Sequence, residues 1–265
     1  METKNRIMFG VLNYRDDVSS SLEIIQGLRT LTYDTDIILA TKNNLRRFWK
    51  SDDIKETIIP EDQIINIENT SIAKAKNELL KKARELGADY FFIIEDDVKI
   101  KDLSVFYEYT KLMETFGLGF CCHGYGEHIN TIFQKPNPAL SVYDDATKQD
   151  IYVWNRYPFN VVTVYDLRIN KELYDETLEF LELKEYVIRC KEKGLIPFLG
   201  FFMDVPYSWK KIGRQTEVLK CRKLDPKKIH AEKELVDKRW TQENDPVKVL
   251  NHIKEILYVP KVVTI

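Results

Sequence analysis

The chain has 265 residues, of which 44% are hydrophobic and 31% charged, with a formal net charge of −2. That length suits one α/β domain of ordinary size, alone or with a C-terminal extension, and the composition is that of a soluble globular protein able to bury a sizeable core. A bilayer-spanning helix is excluded: no apolar run approaches the roughly eighteen residues required, and the longest, Leu195 to Met203, is interrupted by Pro197 and Gly200.

Met1 to Arg6 leads directly into a strand-like segment without the apolar core of a signal peptide, which predicts a cytosolic protein. Arg6 to Leu12 reads as the first strand, followed by the polar turn Asn13 to Asp17. Ser19 or Ser20 caps a helix that carries Leu22, Ile25 and Leu28 on one face. Asp36 to Thr41 is a second strand, Leu45 to Trp49 begins a surface helix, and Gln63 to Ile67 is a third strand. Asn69-Thr70-Ser71 then offers N-cap chemistry to a helix whose apolar positions are Ile72, Ala75, Leu79, Ala83 and Leu86. Gly87 follows the last of these, as a glycine just past a helix end should.

Next, the large apolar residues Tyr90 to Ile94 run without a break into Glu95-Asp96-Asp97. Such a run suits a strand buried on both faces in the middle of a parallel sheet. Three carboxylates at its end repel one another unless a cation sits between them. Hard divalent ions such as Mg²⁺ or Mn²⁺ take oxygen ligands of this kind, and ligands of open α/β sheets bind at the carboxyl ends of strands. A solvated acidic turn, or an acidic N-cap for a helix beginning near Asp102, is the alternative reading.

Leu103 to Met113 reads as an amphipathic helix and Gly117 to Cys122 as a strand, ending at His123, which is a ligand or a structural histidine. Cys121 and Cys122 are adjacent in that strand and so face opposite sides of the sheet. With Cys190 and Cys221 they lack metal-ligand spacing and read as reduced core thiols. Thr131 to Asp150 looks like a loop or irregular hairpin, and Val161 to Tyr165 like a strand followed by Asp166 and a helix from Lys171. Asp204 emerges from the apolar run Gly200 to Met203 just before Pro206, where an Asp can serve as a helix cap. The alternation of strand and helix through the first hundred residues predicts a doubly wound sheet with a nucleotide-binding half. No G-x-G-x-x-G and no Walker A loop occurs, which argues against a dinucleotide fold and a P-loop enzyme. The charge is polarised: Trp209 to Trp240 holds eleven Lys or Arg and five acids, so it carries +6 and the remainder −8. Such a segment suits a nucleotide diphosphate, a nucleic acid, an anionic surface or simply a solvated helix face.

Ser71-Ile72-Ala73-Lys74-Ala75-Lys76-Asn77, with Glu95-Asp96-Asp97 some eighteen residues beyond, resembles the helix motif and Asp-rich motif of the family 2 glycosyltransferases of GT-A fold. Lys76 stands where that family usually has Arg, and Glu95 where it has Asp. The resemblance implies a GT-A α/β domain over residues 1–215, a Rossmann-like nucleotide-binding mixed sheet flanked by helices, with a nucleotide-sugar half at 1–100 and an acceptor half at 101–215. Residues 216–265 would be a basic helical extension packing on or closing over the active site. It implies transfer of a sugar from a nucleotide-diphospho-sugar, a UDP-sugar first, to an acceptor hydroxyl with Mn²⁺ or Mg²⁺ as cofactor. Asp97 would be the principal metal ligand, Asp96 would act through the ribose or a metal-bound water with Glu95 behind them, and His230 would join the metal. Leu12, Asn13, Tyr14 and Thr41 would approach the nucleotide, Lys76 would meet the diphosphate, and Asp204 would take the acceptor's proton. The acceptor is a saccharide or glycoconjugate. The +6 segment beside Tyr207, Trp209 and Trp240 also suits hydroxymethylated or glucosylated DNA of viral type. The rival classes are a sugar-phosphate nucleotidyltransferase and a non-catalytic nucleotide-sugar-binding protein.

Overall fold

A computed structural model of the chain describes residues 5–14, 19–31, 36–42, 59–68, 70–96, 98–100, 103, 105–123, 138–144, 149–154, 162–197, 201–203, 209–211 and 226–243. The strands are β1 (Ile7–Asn13), β2 (Asp36–Thr41), β3 (Ile64–Asn66), β4 (Tyr90–Glu95), β5 (Val98–Ile100), β6 (Phe120–His123), β7 (Pro138–Asp144), β8 (Gln149–Trp154), β9 (Val162–Asp166), β10 (Phe201–Met203) and β11 (Trp209–Lys211). The helices are α1 (Ser19–Arg29), α2 (Ile72–Glu85), α3 (Val105–Phe116), α4 (Glu182–Glu192) and α5 (Pro226–Glu243). None of them is long and apolar enough to cross a membrane.

Nine strands make one sheet in the order β3-β2-β1-β4-β9-β6-β10-β8-β7, and β11 pairs with β5 apart from it. β1 lies parallel to β2 and β4, and β2 is parallel to β3. β9 runs antiparallel between β4 and β6, and β10 is parallel to β6. The sheet is therefore mixed, as the family resemblance implies, although the apolar run of β4 taken alone suggested parallel surroundings. The apolar run reports burial on both faces, which an antiparallel neighbour provides equally well when helices cover both sides.

Alternate residues of the central strands feed two cores. Met8, Leu12, Phe91 and Ile93 face α2 and α4, while Phe9, Val11, Tyr90, Phe92 and Ile94 face α1 and α3. Cys121 and Cys122 divide between the same two cores, and burial pushes the Cys122 thiol well above its ordinary value, so it stays protonated and inert. Gly10 belongs to the crowded side: a Cβ there would stand 2.6 Å from Cζ of Phe91. A glycine that reads as isolated in the sequence thus makes room for a ring of the neighbouring strand.

Helix α2 forms as its sequence predicts. Ser71 Oγ accepts from the Lys74 N–H at 3.2 Å, and Gly87 closes the end at φ +77°. The helix expected from Lys171 does not form. After β9, residues 167–181 run as turns and extended chain, and α4 begins only at Glu182. Side chains from α2 take the backbone groups that a helix would have used: Asn77 pairs with both N–H and C=O of Tyr174, and Arg84 donates to the carbonyls of Asn170 and Glu172. Within 131–150, the described part is the outer strand of an antiparallel hairpin, β7 and β8, with a register irregularity between Pro138 and Leu140. The helix expected at Leu45–Trp49 lies outside the described residues.

Candidate functional site

The chain builds β1, β2 and β3 outward in one direction, then returns to lay β4 on the other side of β1. That reversal makes the carboxyl ends of β1 and β4 a topological switch point, where the crossover chains leave in opposite directions and open a crevice. β6 and β10 run the same way as β4, so His123 and Met203, which are register partners, also end at this edge. The sequence-derived candidates Leu12, Asn13, Tyr14, Thr41, Glu95 and Asp96 all lie here, on three adjacent strands.

Their geometry is a hydrogen-bonded relay running across the strands. Thr41 Oγ1 donates to Asn13 Oδ1 at 2.9 Å, and Asn13 Nδ2 donates to Asp96 Oδ2 at 3.0 Å. The backbone N–H of Tyr14 donates to the same Asp96 oxygen at 3.0 Å, and the Asp96 N–H reaches the Leu12 carbonyl at 3.1 Å. Asn13 is 0%, Thr41 1% and Asp96 7% exposed. In such surroundings a polar group must be hydrogen-bonded to be tolerated, and the relay satisfies that demand. The Tyr14 hydroxyl donates to the Thr70 carbonyl at 2.9 Å, which ties the turn after β1 to the start of α2. Glu95 ends β4 half-buried, opposite Leu12 in the ladder. Asp97, the next residue, lies outside the described residues, as does Asp204 immediately after β10.

A hard divalent cation fits the chemistry of this edge. The donor set is all carboxylate oxygen, and Asp96 is held rigidly by neutral donors to one of its two oxygens. Among the described residues no three His, Cys, Asp or Glu side chains come together as a ready metal cage. A site here would therefore be the shared kind, completed by substrate phosphate and water.

Lys76 and His230 each meet an acid of a helix. Lys76, 1% exposed, has its Nζ 3.5 Å from Glu182 Oε1 at the start of α4 and 5.1 Å from the centre of the Tyr174 ring. Its neighbour Asn77 donates to the Tyr174 carbonyl at 3.0 Å and to Glu176 at 2.9 Å, and accepts from the Tyr174 N–H at 2.7 Å. Both polar residues at the end of the helix motif thus clamp the segment between β9 and α4. His230 sits on α5 with its side chain 76% exposed and Nε2 3.5 Å from Glu234 Oε1.

Sequence reasoning missed the role of Glu232. Its carboxylate accepts from three consecutive backbone N–H groups, those of Glu179, Phe180 and Leu181, at 2.7, 2.9 and 3.2 Å. Helix α4 has no side-chain cap of its own, so an acid from α5 caps it from outside. The charge count held no signal for this, since an acid in a basic stretch reads only as one fewer positive charge. Several basic residues of that stretch are likewise engaged. Arg239 pairs with Glu192 at 2.8 Å and Glu185 at 3.6 Å, Lys228 pairs with Glu179 at 2.5 Å, and Lys233 lies 5.6 Å from the Phe180 ring centre.

No protein-family model and no curated protein matches the chain. Solved structures do. The 1–349 segment of S. aureus TarS, crystallised with UDP-GlcNAc, superposes on 95% of this chain and 71% of that one, at 9% identity and a TM-score of 0.51. The longer TarS structure aligns with 96% of this chain at 9% identity and a TM-score of 0.53, and only 43% of its own length is covered. Glucosyl-3-phosphoglycerate synthase from Mycobacterium tuberculosis, crystallised with Mn²⁺, UDP and glucosyl-3-phosphoglycerate, aligns with 97% of this chain and 82% of its own, at 12% identity and a TM-score of 0.51. At such identities the likeness is one of fold, and together with the mixed sheet and its flanking helices it identifies the architecture: the chain has the GT-A fold.

Proposed function

We propose that the protein is a metal-dependent glycosyltransferase that moves a sugar from a nucleotide-diphospho-sugar, a UDP-sugar first, to an acceptor hydroxyl. The observation that carries this reading is the acidic end of β4 at the switch point, with Asp96 locked to the end of β1 by Asn13 and the Tyr14 N–H. Solved structures of the same fold bind UDP-GlcNAc, and UDP with Mn²⁺, which supports the choice of donor and cofactor.

Asp97 is the proposed principal ligand for Mn²⁺ or Mg²⁺, with Asp96 turned to the ribose or a metal-bound water and Glu95 behind them. When bound, the ion offsets the charge that builds on the departing diphosphate. In the transfer the acceptor oxygen bonds to the anomeric carbon as the bond from that carbon to the diphosphate breaks. The nucleoside diphosphate leaves with the electron pair. Asp204, which follows β10 in the sequence, is the proposed base that takes the acceptor's proton. Residues 1–100 form the donor half and 101–215 the acceptor half. A saccharide or glycoconjugate is the proposed acceptor, since Lys228 and Arg239 of the basic stretch are already matched by acids of the same chain.

The test is a screen of nucleotide sugars with Mn²⁺, scoring the nucleoside diphosphate released by transfer or slow hydrolysis. Asp97→Ala is expected to abolish that release while the thermal transition stays in place; a fully active Asp97→Ala enzyme overturns the reading. Release of pyrophosphate from a nucleoside triphosphate and a sugar phosphate, with no turnover of nucleotide sugars, would assign nucleotidyl transfer instead.

A further inference from the structure

The sequence suggests Thr41 and Asn13 as groups that approach the nucleotide. Their observed partners suggest another task, and we propose that Thr41 and Asn13 are positioning residues that set the carboxylate of Asp96 from the neighbouring strands. The proposal rests on the glycosyltransferase reading, and within it on Asp96 meeting the metal-bound water rather than the ribose.

Asn13 and Thr41 are register partners in the β1–β2 ladder, and Leu12 is the partner of Glu95 in the β1–β4 ladder. The three side chains therefore stand in one row across β2, β1 and β4, one step beyond the last ladder pair on β4. An asparagine amide carries an acceptor at one end and a donor at the other. Thr41 Oγ1 on Asn13 Oδ1 decides which end is which, and so turns Nδ2 toward Asp96. The row is anchored at its far end too, because the Thr41 carbonyl accepts from the Ile67 N–H at 3.1 Å, just past β3. At Asp96 both donors, Asn13 Nδ2 and the Tyr14 N–H, fall on Oδ2. Two donors on one oxygen fix the plane of the carboxylate, and with it where Oδ1 stands. Without Thr41's hydroxyl the amide loses the bond that tells its two ends apart. A flipped amide sets its oxygen against the carboxylate, and the repulsion turns Asp96 out of its place.

Such a device acts on the ion through another residue, so it separates from direct contact with the nucleotide. The experiment titrates UDP into the 265-residue chain by calorimetry with and without Mn²⁺, for wild type and for Thr41→Ser, Thr41→Cys and Thr41→Val. Partners that orient a ligand-bearing side chain typically change metal affinity by about 10- to 100-fold, so Thr41→Val is expected to lower the gain that Mn²⁺ gives to UDP affinity by about tenfold, and Thr41→Ser to restore it to within about twofold. Thr41→Cys, close in size with a weaker donor, should fall between the two, and UDP affinity without Mn²⁺ should stay near wild type. Equal loss with and without Mn²⁺ would mean that Thr41 touches the nucleotide itself and would overturn the proposal. So would variants whose Mn²⁺ gain does not follow hydroxyl donor strength, whatever their melting temperatures do. A wild-type chain that binds UDP with no gain from Mn²⁺ would remove the metal-dependent reading first, and this inference with it.

Discussion

Two regions of this molecule hold carboxylates with different partners. At the carboxyl ends of β1, β2 and β4, the donors on Asp96 Oδ2 are an amide and a backbone N–H, both neutral. On the flank made by α2, α4 and α5, several carboxylates are met by cations of the chain, Glu182 by Lys76, Glu185 by Arg189, Asp237 by Lys184 and Glu192 by Arg239, while Glu232 takes three backbone N–H groups. The flank closes its own electrostatics and so serves packing. The strand ends orient a carboxylate through neutral donors that come from the neighbouring strand β1 and its turn. If the contrast holds, substitutions on the flank should cost stability and leave donor binding alone, while those at the strand ends should do the reverse.

Lys76 is the sharpest place to break that contrast, since the family resemblance puts it on the diphosphate and its surroundings put it on the flank. Removing one partner of a buried ion pair leaves the other charge without compensation, so Lys76→Ala is expected to destabilise the fold by about 3–5 kcal/mol in urea denaturation. The double variant Lys76→Met with Glu182→Leu removes both charges and fills the space, and should recover most of the loss, because apolar replacement of a buried pair is often neutral or better. UDP affinity of the double variant then decides between the roles. Wild-type affinity keeps Lys76 on the flank; a tenfold or greater loss in a stable double variant, about 1.4 kcal/mol, returns it to the donor site.

How far the sequence reaches differs along the same divide. β4 and α2 are legible because each obeys a local rule: an unbroken apolar run, and a cap, a 3.6-residue stripe and a terminal glycine. The switch point could be placed for the same reason, as the acids follow directly on the apolar run. The segment after β9 was illegible. Its backbone groups are satisfied by Asn77 and Arg84, which lie about ninety residues away in sequence, and no local pattern in 167–181 registers a partner that distant. The direction of β9 was hidden as well, since burial on both faces looks the same whichever way the neighbour runs. Asn13 and Thr41 were visible as polar residues at strand ends, but their link to each other exists only once β1 and β2 stand in register.

Glu232 tests the flank at its most exposed connection. Glu232→Ala leaves three backbone N–H groups of residues 179–181, just before α4, without their acceptor and removes a negative charge near the helix's positive end. A loss of about 1–3 kcal/mol is expected, read by urea denaturation. Hydrogen exchange should quicken first in α5 and in residues 179–181, because this contact joins the two. Raising salt to 1 M should do much less in the wild type. The neighbouring pairs Lys228–Glu179 and Arg239–Glu192 are partly exposed, and pairs of that kind contribute only about 0–1 kcal/mol each. Unchanged exchange in α5 of the Glu232→Ala variant would mean that apolar contacts such as Val236 and Trp240 hold the helix, and the flank would then owe little to its charges.

The smallest effect comes from Asp175, on the loop that the flank organises. The Thr177 hydroxyl donates to its Oδ1 at 2.7 Å and the Thr177 N–H at 2.9 Å, and these bonds hold its carboxyl below the usual carboxylate value. A carboxyl whose folded pKa is depressed contributes stability above its unfolded pKa, and that contribution is lost as pH falls through the folded value. The hydrogen bonds are worth at most about 1 kcal/mol in a half-buried loop, so Asp175→Asn should be slightly less stable than wild type at pH 7. That difference should shrink from about pH 4 downward, as the wild-type carboxyl takes up its proton and becomes as neutral as the amide. Urea midpoints of the two proteins at pH 7, 5, 4 and 3 check this. Curves that run parallel down to pH 3 would mean that the loop is held by Asn77 and Arg84 alone, with the charge of Asp175 spectating.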